Sequence, residues 1–416
     1  MSSSPETTWL QERKLSYNKI GQPLNGLLNL ILLFVVGEIF WYVLFSPNGV
    51  FQLYTPNVGQ AFVITCLMVV HWLNDVCDFS VVSRPWLRDK PVLVKGTIMS
   101  AGIILLALVI MLVFYNQIIG LFGPIFFSGD GLMSTEGLGQ YAQTARENAY
   151  YAQIMMNTCI IFFCILIVTG WGHGLWQGCS KFTASVSIII LGTLLAIIAF
   201  SMLYYPHIAY QFYPAQTFMA AEPWWTEIAM TQSSLFHFGW MVPALVLLYW
   251  INMLWEGAPF NKINNMWVRG LATMVFVVVA GIIIEFAANH IMDWYWGVEA
   301  YEGGNTVEQP AWRWNHVSEL AMMMAFCGAV LFHYFDNWPK GIPSLACRAI
   351  IRTIIAILGG LFVAGLYWEY GPTFLGTVYG LGQENDTSNC WTIMMIVLLN
   401  LHMLCFDGYP LRKLEK

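Results

Sequence analysis

Charge is what this chain has least of. Only 10% of its 416 residues are Asp, Glu, Lys or Arg, while 58% are hydrophobic. A soluble domain of this size needs about 25% charged residues to cover its surface. A water-soluble globular protein is therefore excluded. Marked catalytic loops are missing too: there is no GxxxxGK[ST], no GxGxxG between a strand and a helix, no HExxH and no GxSxG. Those absences remove the best-marked nucleotide, metalloprotease and serine-hydrolase chemistries. Nine cysteines occur without CxxC or Cys/His spacing, which argues against a zinc site and a disulfide framework. Most of them, including Cys66, Cys159, Cys164, Cys327 and Cys405, lie inside apolar runs, where the thiol behaves as a small hydrophobe. Gly129-Asp130-Gly131, in an acidic loop, reads as a turn.

What is present is a series of apolar runs, with a mean hydropathy of +0.60 over the whole chain. Ten candidates fall at about 25–46, 58–80, 92–115, 151–176, 184–206, 234–255, 266–290, 316–336, 345–371 and 390–408, each long enough for a hydrocarbon core of about 30 Å. They are continuously apolar rather than alternating, so the expected fold is an all-α integral membrane protein of ten transmembrane helices. Residues 1–24 read as a retained polar segment without the basic start and apolar core of a secretory signal. Residues 25–410 form the membrane domain and 411–416 a short tail.

The bases set the orientation. Sixteen of the 18 Lys and Arg residues fall on the side shared by both termini, and only Arg146 and Arg313 fall on the other. The positive-inside rule then places both termini in the cytoplasm, in a cell membrane or an organelle inner membrane. A topogenic stripe of this kind is not a nucleic-acid patch, and none is expected to bind.

Three even-numbered runs end in one phrase: Trp255-Glu256-Gly257-Ala258-Pro259, Phe335-Asp336-Asn337-Trp338-Pro339 and Phe406-Asp407-Gly408-Tyr409-Pro410. Arg269 and Arg348 follow the first two at the start of the next run. The second run ends more loosely with Asp75, and the fourth carries Gln177 in the acid's place. The recurrence reads as five parallel helical-hairpin pseudo-repeats. At the level of fold alone this resembles the five-hairpin anion channels, whose pore lies on a pseudo-five-fold axis. No residue motif of that family is present, and fold analogy does not transfer function.

Ionisable groups inside a membrane are costly and mark pathways or partners. Glu38 lies roughly 20 Å into the first run, and with Glu369 it is a candidate for a transport pathway. His71, His173, His333 and His402 sit at the cytoplasmic ends of the even runs, where haem ligation, quinone contact and plain bonding to loop carbonyls are all open. At the outer face, His237, Glu285, His290, Asp293, His316 and Glu319 form a candidate metal cluster. His316 and Glu319 share one helix face at i, i+3, and His290 and Asp293 have the same spacing. Imidazole and carboxylate together suit copper, iron or zinc, although an interfacial cluster has the same composition. The outer Trp residues, including Trp224, Trp225, Trp294, Trp296, Trp312 and Trp314, are explained by an aromatic belt, and the 21 Met residues by flexible packing.

Three functions remain open. A transporter or channel for a small solute or ion fits ten spans with buried carboxylates. A membrane-embedded metal-dependent oxidoreductase, or its membrane subunit, rests on the outer cluster. A non-catalytic subunit, in a homo-oligomer or larger membrane complex, fits the short loops. The partner common to all three is the lipid bilayer.

Overall fold

Backbone polar groups find no water in a bilayer, so an apolar run of this length satisfies itself by becoming a helix. The computed structural model describes residues 16–77, 87, 90–120, 127–134, 142–176, 178–212, 234–296, 311–376 and 388–414. Within them, ten helices are long and apolar enough to cross a membrane. They are α1 (Leu24–Leu44), α2 (Asn57–Val76), α3 (Val92–Ile119), α4 (Ala145–Gly170), α5 (Lys181–Ala209), α6 (Ser234–Met253), α7 (Met266–Met292), α8 (Asn315–His333), α9 (Leu345–Leu375) and α10 (Ser388–Cys405). The chain is a multi-pass membrane protein. The ten runs read from hydropathy correspond to these helices one by one.

Two local departures have physical causes. Helix α4 starts earlier than its apolar run, because the charged Glu147 in its first turn is held by the Asn57 backbone N–H at 2.9 Å. Gly129–Ser134 is a short helix rather than a turn, and the Ser128 hydroxyl accepts from the Gly131 N–H at 3.2 Å. The described residues also contain one two-stranded ribbon, β1 (Ser16–Asn18) against β2 (Arg412–Leu414), antiparallel with Ser16 opposite Leu414. It ties the start of the described chain to its end.

Burial sorts the helices into two layers. The even-numbered helices are buried over 61–94% of their apolar windows, the odd-numbered ones over 22–28%. The inner helices pack as a closed ring in the order α2, α4, α6, α8, α10 and back to α2. Each outer helix lies over the groove between two of them: α3 on α2 and the last turn of α10, α5 on α4 and the last turn of α2, α7 on α6 and α4. Helix α9 packs on α8 and reaches α6 through Trp255 Nε1, which donates to Thr353 Oγ1 at 2.7 Å. Helix α1 packs on α10, with Gly26 against the Phe335 ring just beyond α8. One buried polar chain links the layers: Tyr115 donates to Asn157 at 2.8 Å, and Asn157 to Thr65 at 2.8 Å.

At the basic end, three inner helices finish in the same way. After α6, the Trp255 and Gly257 N–H groups donate to the carbonyls of Trp250 and Ile251; after α8, Phe335 and Asn337 donate to Val330 and Leu331; after α10, Phe406 and Gly408 donate to Leu401 and His402. Glu256, Asp336 and Asp407 all take positive φ, at 54°, 53° and 53°, a conformation that Asp tolerates better than most residues. At the end of α4, Gly172, following Trp171, also takes a positive φ, 61°; Gln177, read in the acid's place there, lies outside the described residues.

Bases do not pair with the acid that precedes them in sequence. Each reaches the end of a different inner helix. Arg269 donates to the Gly170 and Trp171 carbonyls at 2.9 and 3.4 Å. Arg352, 2% exposed, donates to the Leu254 carbonyl at 3.0 Å and to Glu256 at 2.7 Å, and Arg348 adds a second bond to Glu256 at 3.2 Å. Arg412 bonds the His333 carbonyl at 2.8 Å and Asp336, which also accepts from Asn18 and Gln22. Lys95 pairs with Asp407. At α2 a hydroxyl plays the part, Ser185 donating to the Val76 carbonyl at 2.8 Å. Carbonyls at a helix C-terminus have no partner within the helix, and here the neighbouring hairpin supplies one.

Close approach makes room for these bonds. A Cβ on Gly96 or Gly270, each directly after its base, would stand 2.2 Å from the Phe406 ring and 2.1 Å from the Trp171 indole. Gly281 of α7 brings that helix against the α6 backbone, where an added Cβ would lie 2.6 Å from the Trp240 carbonyl oxygen.

Two outcomes are expected. G281A pushes α7 off α6 and costs about 1–3 kcal/mol by overpacking, whereas G102A, with open space around it, is neutral or gains up to about 1 kcal/mol of helix propensity; unfolding in detergent by denaturant titration reads both. Burial pushes the Glu256 carboxyl up, but bonds and charge from Arg352 and Arg348 outweigh this and hold it below the usual carboxylate range. A depressed carboxylate contributes stability that is complete above its unfolded pKa of about 4.3 and is lost as pH falls through the folded value. E256Q therefore loses stability at neutral pH and flattens the acid limb of a stability profile.

Candidate functional site

Polar side chains inside the bundle gather in two places, one at each end of the inner ring. At the basic end His71 sits in the last α-helical turn of α2, just before a five-residue π-helical stretch, Trp72–Val76. The wider turn brings Asp75 back under the imidazole, so that His71 Nδ1 lies 2.6 Å from Asp75 Oδ2. Asn74 holds the other carboxylate oxygen at 2.7 Å. From α6, Tyr249 reaches His71 Nε2 with its hydroxyl, and the two rings are 4.9 Å apart. Helices α2 and α6 are not adjacent in the ring order, so this contact bridges its basic mouth. Asp75 accepting from Nδ1 leaves Nε2 to accept from the phenol, which fixes one tautomer. A chain of phenol, imidazole and carboxylate can pass a proton from one end to the other. His71 is 4% exposed and the Asp75 side chain 23%; the imidazole is enclosed while the carboxylate meets solvent.

At the acidic end, helices α4 to α7 meet around a second group. His207 Nδ1 lies 2.9 Å from Ser234 Oγ, which lies 2.6 Å from the Tyr151 hydroxyl. One turn deeper, Trp240 Nε1 donates to His237 Nδ1 at 3.2 Å, and the Tyr204 ring stands 5.9 Å from His237. Tyr204 donates to the Met241 sulfur at 3.4 Å. Glu285, one turn beyond Gly281 on α7, is 0% exposed, and neither carboxylate oxygen has a hydrogen-bond partner.

Among the described residues, the outer metal candidates do not come together as a group of three, and no group of three His, Cys, Asp or Glu side chains could hold a metal ion. His316 turns to its own helix neighbour, with Nδ1 2.7 Å from Glu319 Oε2, while Asn315 occupies Oε1 at 2.8 Å. His290 is exposed, whereas Glu285 on the same helix is buried, so the two occupy different faces of α7. The side chains of Asp293 and His173 lie outside the described residues. His237 belongs with His207 and Tyr204 instead.

The other sequence candidates scatter. Glu38 is half-buried on the outer helix α1 and accepts from Trp391 Nε1 at 3.2 Å. Glu369 is exposed on α9. Both carboxylates belong to the outer layer. Among the cytoplasmic-end histidines, His402 is bonded by the Tyr334 hydroxyl at 2.9 Å and the Tyr409 carbonyl at 2.8 Å, and His333 is buried beside Phe332. Measured from the shared turns, His402 and His333 fall at different positions, so they are not copies of one site. His207 stands out in the sequence as an outer-face histidine after the fifth run, but its partners Ser234 and Tyr151 do not, and neither does Tyr249. Each looks like an interfacial aromatic or polar residue until another helix is placed against it.

Compared with protein families, with curated proteins and with solved structures, the chain has no match in any of the three.

Because His71 is enclosed, Y249F is expected to cost about 1–3 kcal/mol by leaving an imidazole nitrogen without its partner. H71A and the double variant complete a cycle whose coupling energy falls at about 0.5–3 kcal/mol. Denaturant unfolding in detergent measures it, and strictly additive effects would show that the contact carries no energy.

Proposed function

We propose that the chain is a transporter or channel for a small solute or ion, built from five pseudo-repeated hairpins, with its pathway along the axis of the inner ring. Each unit is an even-numbered inner helix and the outer helix that follows it. The fifth unit is α10 with α1, joined by the β1–β2 ribbon instead of a peptide link. Recurrent turns after α6, α8 and α10, and bases that reach the neighbouring unit, support this division. Sixteen of the 18 bases on one side support cytoplasmic termini.

One observation carries the transport reading. Five inner helices close a ring, and at its basic mouth a hydrogen-bonded polar chain joins α2 to α6. A polar bridge between non-adjacent members is where a gate along the axis would be built. Glu38 and Glu369, on the outer layer, have no part in that pathway.

A second reading has its own support. The inner helices are buried to as much as 94%, which suits a packed membrane subunit of a larger complex or homo-oligomer. The metal-dependent oxidoreductase reading draws no support from the described residues.

Reconstitution into proteoliposomes separates the two. If Tyr249 and His71 gate the axis, Y249A removes about 1.4 kcal/mol or more from the barrier and raises the passage of protons or small ions about tenfold. A folded wild type and a folded Y249A that are both as tight as empty vesicles would favour the subunit reading.

A further inference from the structure

The buried carboxylate on α7 has no role in the pathway just described. We propose that Glu285 is a proton-binding site, neutral in this conformation and loaded from the acidic face. As the coupling site of a transporter it rests on the transport reading; as a protonated acid it does not.

The argument begins with what surrounds it. Gly281 lets α7 touch the α6 backbone at Trp240, and Glu285 projects one helical turn further along the same face. There α6 presents His237 and Phe236, whose ring lies 6.1 Å from Phe286. Glu285 is 0% exposed, and no donor reaches either of its oxygens. An ionised carboxylate with neither water, donor nor cation costs many kcal/mol, and such a group is held as the neutral acid instead. The oxygens are also closed off from solvent-sized space, which suits a proton and not an organic cation.

The titratable groups on the packed elements agree with this. In the acidic halves they are Tyr151 and Cys159 on α4, Tyr204 and His207 on α5, His237 on α6, and His316 and Glu319 on α8. Arg146, at the exposed start of α4, is the fixed positive charge whose side chain is described at this end, and Glu147 beside it is turned to Asn57. The Tyr204 ring stands 5.9 Å from His237, and toward the acidic face runs the chain Tyr151–Ser234–His207, whose last member is only half-buried. A proton leaving the Glu285 acid has imidazole, hydroxyl and phenol groups between it and water on that face. When it leaves, the carboxylate is formed and water takes the proton.

Infrared spectroscopy of the full chain in membranes tests this without any flux measurement. A carboxylic-acid carbonyl band present at neutral pH in the wild type should vanish in E285Q and persist in E38Q. Its presence unchanged in E285Q would overturn the proposal. Stability gives a second reading: Gln replaces a neutral acid closely, so E285Q should keep the wild-type unfolding midpoint. A large loss of stability in E285Q, with no band lost, would mean that Glu285 is ionised and paired. Because neither readout uses transport, a channel that failed to conduct would leave this result standing.

Discussion

The unpaired carbonyls at the basic ends of the inner helices are what the rest of the structure is organised around. A helix leaves its last carbonyls without partners, and near a membrane surface that debt must be met locally. Here it is met from outside the hairpin. Arg269 serves Gly170 and Trp171, Arg352 serves Leu254, and Arg412 serves His333. Arg269 and Arg352 stand in the first turns of outer helices and Arg412 in β2, paired to the strand that precedes α1, so every bond couples one helix pair to its neighbour. Lys95 with Asp407, and Ser185 with the Val76 carbonyl, continue the same linkage. Five such bonds close the ring. The glycines beside Lys95 and Arg269 exist because an aromatic ring from the capped turn has to lie flat against the next helix.

Ring closure by the chain ends follows from the same logic. Helix α1 packs on α10, with Gly26 against the Phe335 ring just beyond α8. The ribbon of Ser16–Asn18 with Arg412–Leu414 holds it there. Asp336 then receives Arg412, Asn18 and Gln22 together, from both ends of the chain. Function, on the reading proposed, depends on this closure, because an axis exists only when five inner helices surround it. The polar groups divide accordingly. His71, Asp75 and Tyr249 lie at one mouth, and Glu285 with its imidazole and phenol neighbours lies toward the other.

Much of the architecture could be read before any coordinates, and the reason is locality. Membrane helices are written as continuous apolar runs, so all ten were legible, as was the gathering of bases on one side. The acid–Pro phrase was legible as recurrence but not as chemistry, since Glu256 pairs with Arg348 and Arg352 from a later hairpin rather than with Arg269. The looser copy read at Gln177 falls outside the described residues, while Gly172, nearer the end of α4, takes a positive φ. The outer metal candidates do not come together among the described residues, for a related reason. His290 and Glu285 are near in sequence, but five residues along a helix turn them to different faces, and His316 is consumed by Glu319 on its own helix. Tyr249 could not be found at all, because its partner His71 comes from a helix distant in sequence.

The central claim is that the inner helices form a closed ring, and the seam between α2 and α10 is the place to test it. At Gly59 an added Cβ would lie 3.2 Å from the Cys390 sulfur. Gly59→Cys should therefore form a disulfide with Cys390 under mild oxidation in the folded protein, detected as a cross-linked peptide by mass spectrometry, while Gly102→Cys, with open space around it, should not. A folded Gly59→Cys variant that never cross-links to Cys390 would contradict the ring and the axial pathway built on it.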